Sequence, residues 1–322
     1  MKAVYFENGT LSLREIPVPE PAEGEAFIRV LQSGICNTDI ELYRGYYGFS
    51  GVPGHEFVGL VERVNAADRS LEGRRVCADI NIGCGSCPRC LSGDSRHCPQ
   101  KRTIGINDQQ GVFAEYVILP IANLSPVPEE VTDDEAVYAE PLAAALEIGQ
   151  QIHLTAQDRI AVLGDGKLGL LCAFALAVYS PRITLVGRHE KKLKVASDYG
   201  IETLMSGTTD LSAQFDMVVE ATGSETGIRD ALALVRPEGT VVVKTTSHKP
   251  SEIDLAKLVV DEIRLVGSRC GSIPLALSTL AKKLVPVTSL TEAVYPLEDF
   301  EQAFEHARKK GTLKILLKHP DA

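Results

Sequence analysis

Four cysteines, Cys84, Cys87, Cys90 and Cys98, fall in the pattern C-x2-C-x2-C-x7-C. Thiolates at such short spacings can surround one Zn²⁺ as a tetrahedron, at about 2.3 Å each. All four are needed as ligands and no coordination position stays open, so the expected site is structural; an iron–sulfur cluster is the other group such a set holds. Two further clusters, Gly34-Ile35-Cys36-Asn37-Thr38-Asp39 and Gly54-His55-Glu56, bring another Cys and a His, both good zinc ligands. A catalytic zinc takes three protein ligands and keeps a fourth position for water or substrate. Glu140, in Ala139-Glu140-Pro141-Leu142, is the candidate third ligand.

Gly164-Asp165-Gly166-Lys167-Leu168-Gly169 reads G-x-G-x-x-G. The motif alone is weak, but here it follows the strand IAVL and opens the apolar helix LGLLCAFALAVY. In that context the first glycine makes the tight turn, the second admits a pyrophosphate to the backbone, and the third lets helix and strand pack closely. The phosphates then lie at the helix N-terminus, beside Lys167 and Leu168. The next strand, ITLV, ends at Gly187 and Arg188, with Lys191 and Lys192 after them. An NAD site usually has an acidic residue here, about 20 residues past the glycines, to accept the ribose 2′-hydroxyl. At the end of this strand no carboxylate is available to accept the ribose 2′-hydroxyl, and an Arg can pair with a 2′-phosphate, so NADP(H) is expected over NAD(H). Thr222, closing the strand FDMVVEATG, completes this set of cofactor contacts.

The elements that must hold these residues are of two kinds. Residues 1 to about 125 are rich in short strands, such as FVGLVERV and FAEYVILP, punctuated by turn residues. The cysteines occupy a long loop, 81–102, which needs something to order it. A helix is expected over 133–151. From there strands and helices alternate, with RIAVL, RITLVG, FDMVVEATG, TVVVKT and IRLVGS as strands, which implies a parallel sheet covered on both faces. The stretch 287–317 returns to a strand-and-helix mix that rejoins the first domain. The expected division is therefore 1–138 with 287–322, carrying the cysteine lobe 81–102, and 139–286. With 322 residues, 44% hydrophobic and 24% charged, the chain can bury two ordinary cores. A net charge of −10 argues against a nucleic-acid or anionic-membrane binder. No targeting pattern opens the sequence, and the longest apolar run, Leu168 to Tyr179, is too short to span a bilayer. Four of the eight cysteines cluster as metal ligands rather than spreading as disulfides, so a reducing, cytoplasmic setting is expected.

In the order and spacing of these motifs, the chain resembles the medium-chain, zinc-dependent alcohol and polyol dehydrogenases over nearly its whole length. The resemblance implies an α/β protein: a GroES-like β-barrel catalytic domain and a Rossmann domain with a doubly wound parallel sheet, the active site between them. It implies Cys36 and His55 as ligands of a catalytic zinc, and Glu56 as a carboxylate beside the metal or coordinating it transiently. Glu140 stands where simple alcohol dehydrogenases have a second cysteine and where the sorbitol and glucose dehydrogenase branches have Glu. That tilts the expected substrate toward a polyol, sugar or secondary alcohol. Thr38 matches the hydroxyl that relays the alcohol proton, and Asp39 the carboxylate that orients the metal-bound His. Glu41 departs from the liver-type enzymes, which have a relay His there. Arg269, in Gly267-Ser268-Arg269, matches a position near nicotinamide or substrate. Two zinc ions per chain, one catalytic and one structural, and a homo-oligomer, dimer or tetramer, are implied. The expected activity is hydride transfer between an alcohol and NAD(P). The alternatives are an NADP(H)-dependent carbonyl reductase and a non-catalytic NADP(H)-binding sensor of the same fold.

Overall fold

Runs such as IAVL, ITLVG and FDMVVE have no polar face to offer water, and strands of this kind stack side by side only in a sheet covered on both sides. The computed structural model describes residues 1–43, 48–207, 213–246 and 250–320. These runs form a six-stranded sheet in the order Glu202–Met205, Ile183–Gly187, Ile160–Leu163, Phe215–Glu220, Val235–Val243, Arg264–Gly267. Every pairing is parallel. In sequence order that is 3-2-1-4-5-6, the doubly wound arrangement, whose ligand crevice opens outside the carboxyl ends of the strands where the order reverses. The helix Lys167–Ala177 buries every residue from Gly169 to Leu176. A helix apolar all round belongs inside a large unit. Leu163, Val186, Phe215, Val218, Ile228 and Leu232 share a core beneath the sheet.

The other unit is antiparallel in the main. Its largest sheet runs Leu124–Pro126, Arg75–Ala78, Glu56–Asn65, Glu25–Gly34, Lys314–Lys318, Thr291–Pro296, with Tyr116–Pro120 also paired to Glu25–Gly34. The strand Glu25–Gly34 therefore sits at the centre, meeting Glu56–Asn65 on one side and Lys314–Lys318 on the other. A hairpin, Lys2–Glu7 with Thr10–Glu15, and a small sheet of Asn81–Ile82, Arg102–Ile104 and Asp108–Gln109 complete the strands described.

By packing, one unit comprises Met1–Glu140, Ile273–Lys283 and Thr291–Ala322, and the other Pro141–Ser272 and Leu284–Leu290. The chain thus returns to the first unit through the helix Ile273–Ala281, earlier than the expected 287, and visits the second once more before the closing strands. The helix expected over 133–151 is two, Asp133–Ala136 and Ala139–Gln151. Pro141 has no N–H to give to the carbonyl of Val137, so one continuous helix cannot form there. Thr132 and Glu135 cap the first helix reciprocally.

Candidate active site

Cys36 stands two residues beyond the central strand Glu25–Gly34, and His55 immediately before the strand Glu56–Asn65. These strands pair with Gly34 opposite Glu56. The register brings Cys36, His55 and Glu56 to one place, with one ligand atom from each lying within 4.8 Å of the others. The helix Asn37–Tyr43 adds Thr38, Asp39 and Glu41. Asp39, 3% exposed, accepts the Cys36 N–H at 2.8 Å and holds its other oxygen 3.4 Å from His55 Nδ1. With Nδ1 turned to a carboxylate, Nε2 is the nitrogen left for a metal. Burial opposes a charged His55 ring, but the Asp39 carboxylate and the Cys36 sulfur outweigh it and raise its pKa well above the usual value. Thr38 Oγ1 lies 3.6 Å from the Cys36 sulfur, and Glu41 sits one turn further along the same helix.

Lys314 belongs to this cluster although nothing in the sequence analysis pointed to it. It opens the strand Lys314–Lys318, and its ammonium donates to Glu56 Oε2, both residues being buried. Burial works against its charge, yet the charges of Glu56 and Cys36 hold its pKa above the ordinary lysine value. The one available sequence signal was a cation opening the otherwise apolar run KILL. Glu140, the expected third ligand, is not in the tight group. It is half-buried at the start of the helix Ala139–Gln151, and its carboxyl is pushed up to about 7 by burial first, with His55 opposing the rise and the Glu56 charge adding to it.

The four-cysteine lobe closes on itself. Its sulfurs all lie within 4.8 Å of one another, with Cys87 and Cys98 3.7 Å apart. Tetrahedral zinc with bonds of about 2.3 Å sets its sulfurs about 3.8 Å apart, so the lobe fits that ion. Peptide N–H groups already face the thiolates: Cys84 and Gln100 donate to Cys98, Cys87 to Cys84, and Cys90 to Cys87, at 3.4–3.5 Å. The Ser86 N–H, with smaller contributions from its neighbours, lowers the Cys84 thiol to about 6.

In the second unit the glycine motif takes the expected form. Gly164 leaves the strand at φ +110°, and a Cβ on Gly169 would stand 1.8 Å from the Gly164 carbonyl, so only glycine fits there. Around Gly166 a Cβ would meet nothing within 4 Å, which is the open approach a pyrophosphate needs. Lys167 and Leu168 form the first turn of the following helix. Thr222 follows the strand Phe215–Glu220, where Glu220 accepts its N–H at 2.9 Å and its hydroxyl at 2.6 Å. Exposed Arg269 follows Arg264–Gly267, and its carbonyl accepts from buried Lys244 at 3.1 Å. Gly187 ends its strand buried, and Arg188 is exposed beside it. The carboxylate missing from the sequence after this strand is present in space: Asp165, inside the glycine motif, accepts the N–H groups of Arg188 and His189 at 2.7 and 2.6 Å. A motif that leaves position 165 as any residue gives no reason to single it out.

Family models match the chain in two stretches, the alcohol dehydrogenase GroES-like domain over residues 22–129 and the zinc-binding dehydrogenase over residues 167–286. D-altritol 5-dehydrogenase from Agrobacterium fabrum is 33% identical, with 98% of each chain covered. This chain belongs to the medium-chain, zinc-dependent alcohol and polyol dehydrogenases. As such a dehydrogenase it moves hydride between an alcohol and a nicotinamide cofactor, and its fold is the GroES-like and Rossmann pair that the sequence implied. Two solved structures are similar to this dehydrogenase over almost all of both chains. A short chain alcohol dehydrogenase from Escherichia coli CFT073 complexed with NADH matches with a TM-score of 0.92 at 26% identity, covering 99% of each chain. A putative zinc-binding dehydrogenase from Sinorhizobium meliloti 1021 bound to NADP matches with a TM-score of 0.90 at 27% identity, covering 98% of each.

Proposed function

We propose that the chain is a polyol, sugar or secondary-alcohol dehydrogenase that prefers NADP(H), with one catalytic and one structural zinc. The observation that carries the reading is the meeting of Cys36, His55 and Glu56 within 4.8 Å in a chain that also builds a glycine-motif dinucleotide fold. When bound, zinc polarises the substrate oxygen as a Lewis acid and the nicotinamide carries the hydride. Cys36 and His55 hold the catalytic ion, Asp39 fixing the His55 ring through Nδ1. Glu56 is engaged by Lys314, so Glu140, within electrostatic reach of His55, completes the ligand set while Glu56 stands beside it. Thr38 receives the proton from the substrate hydroxyl, and Glu41, one turn on, takes it outward. The first unit serves as the catalytic domain, with the structural ion held by Cys84, Cys87, Cys90 and Cys98. The second unit serves as the nucleotide domain, with Gly164, Gly166, Gly169, Lys167 and Leu168 at the pyrophosphate. Thr222 and Arg269 line the nicotinamide end, and Arg188 beyond Gly187 pairs with the 2′-phosphate. A physiological direction toward carbonyl reduction suits that cofactor.

Among the described residues no helix is long and apolar enough to cross a membrane. The acidic balance and clustered cysteines support a cytoplasmic setting. A homo-oligomer is supported by the sheet edge: Arg264–Gly267 ends the six-stranded sheet, and beside it in the chain Leu255, Val259 and Val260 are 67–79% exposed. An open edge flanked by exposed apolar side chains invites pairing with a second copy.

The test is a panel of polyols, secondary alcohols and their carbonyl counterparts, followed at the nicotinamide absorbance with NADP⁺ and NAD⁺, or with the reduced forms, in parallel. Turnover should vanish in Cys36→Ser while nucleotide binding persists. A Cys36→Ser enzyme as fast as the unmodified one would refute the mechanism, and binding without turnover across the panel would favour a sensor.

A further inference from the structure

A side chain at the end of the second Rossmann strand ordinarily reaches the adenosine ribose. Here that position is Gly187, and a Cβ placed on it would lie 2.6 Å from both Cβ and Oδ2 of Asp165. The space in which a residue 187 side chain would begin is therefore filled by a carboxylate delivered from the glycine motif. Asp165 is only 6% exposed and cannot swing freely. Its Oδ2 accepts from Arg188 N at 2.7 Å and His189 N at 2.6 Å, and His189 Nδ1 lies 3.0 Å from both oxygens. Both peptide N–H groups thus go to Oδ2, leaving Oδ1 the oxygen with fewer partners among the described residues. Burial alone would raise its pKa, but the His189 ring and the two peptide N–H groups bring it below the usual carboxylate range, so it is an anion at neutral pH. Next to this fixed negative charge stands Arg188, exposed at the surface.

We propose that Asp165 is a specificity-determining residue for the cofactor: its carboxylate stands at the adenosine-ribose position, accepts a 2′-hydroxyl and opposes a 2′-phosphate, so that it limits the preference Arg188 creates. The inference rests on the nicotinamide-dependent reading above and sharpens it. Arg188 attracts the phosphorylated cofactor through an exposed side chain, whereas Asp165 disfavours it through a buried one that the backbone holds in place. A buried anion loses little of its field to solvent screening, so removing it should shift the balance between the two cofactors on the order of tenfold.

The experiment is a measurement of NADPH and NADH dissociation constants by nicotinamide fluorescence on zinc-loaded protein, with adenosine 2′,5′-bisphosphate and 5′-AMP as competitors. Asp165→Asn keeps the volume and one acceptor for the peptide N–H groups. It should raise the preference for NADPH over NADH about tenfold, and the bisphosphate should gain over 5′-AMP in the same sense. Asp165→Ser, smaller and also neutral, should move both ratios the same way and guards against a variant that fails to fold. Unchanged ratios, or equal weakening of both cofactors, would reduce Asp165 to a brace for the loop and overturn the inference. If the unmodified protein binds neither cofactor, the dinucleotide reading itself is what fails.

Discussion

A glutamate left 1% exposed and a lysine left 3% exposed tolerate burial only as partners. Glu56 belongs to the Cys36–His55–Glu56 group, so the pair fixes where the group's carboxylate points. Removing the cation strands a buried anion. Lys314→Met should therefore lower the unfolding free energy by about 3–5 kcal/mol, measured by urea denaturation. The double variant Lys314→Met with Glu56→Gln should recover most of that loss. A single variant that unfolds at the unmodified protein's midpoint would show that the pair does not hold the site together. This pair also marks where reading residues from the sequence ends: the two are 258 positions apart, and no local pattern joins them. Asp165 escaped for the opposite reason, lying inside a motif whose glycines explain everything except itself. Cys36, His55 and Asp39 were legible because ligand chemistry and family order both select them. Glu140 was legible only as a candidate, since its place beside the tight group depends on the packing of the helix Ala139–Gln151, which no sequence shows.

At the scale of elements, the cysteine lobe is ordered by very little else. Its helix Pro88–Leu91 has four residues, and Ser95–His97 adds a single 3₁₀ turn. Elements this short do not persist alone in water. Cys98→Ser should reduce the metal content from two zinc ions per chain to one by elemental analysis. It should also make residues 81–102 sensitive to proteolysis while NADPH binding is retained. A variant that keeps two ions would show that the lobe is not a four-cysteine site. The lobe was readable from its spacing, and the glycine motif from its spacing with the strand and helix that flank it, because all their chemistry falls within one loop or one strand–helix turn. The helix over 133–151 was misread because apolar spacing continues smoothly through Pro141, whereas the missing N–H that splits the helix leaves no trace in that periodicity.

At the scale of the whole molecule, the open edge at Arg264–Gly267 sets the expected assembly. Val260→Glu together with Leu265→Lys places charge on the edge strand and on the exposed helix before it, the device by which natural edge strands avoid pairing. In sedimentation the unmodified dehydrogenase should run as a dimer or larger, and the double variant near the single-chain mass of 34.8 kDa. An unchanged mass would place the contact elsewhere. The alternation of strands and helices made the second unit's sheet legible in advance. The return of the chain at Ile273 was not, because the helix Ile273–Ala281 looks like any other apolar helix and only its packing assigns it to the first unit.

The discontinuity of that first unit has a consequence for how the protein is made. Its central strand, Glu25–Gly34, is translated well before the neighbour it needs on one side, Lys314–Lys318. At roughly 5–20 residues per second, the 258 positions between Glu56 and Lys314 correspond to a wait on the order of tens of seconds. Throughout that interval the nascent chain holds an uncompensated acid beside a half-built sheet, while the intervening nucleotide unit can already complete its own fold.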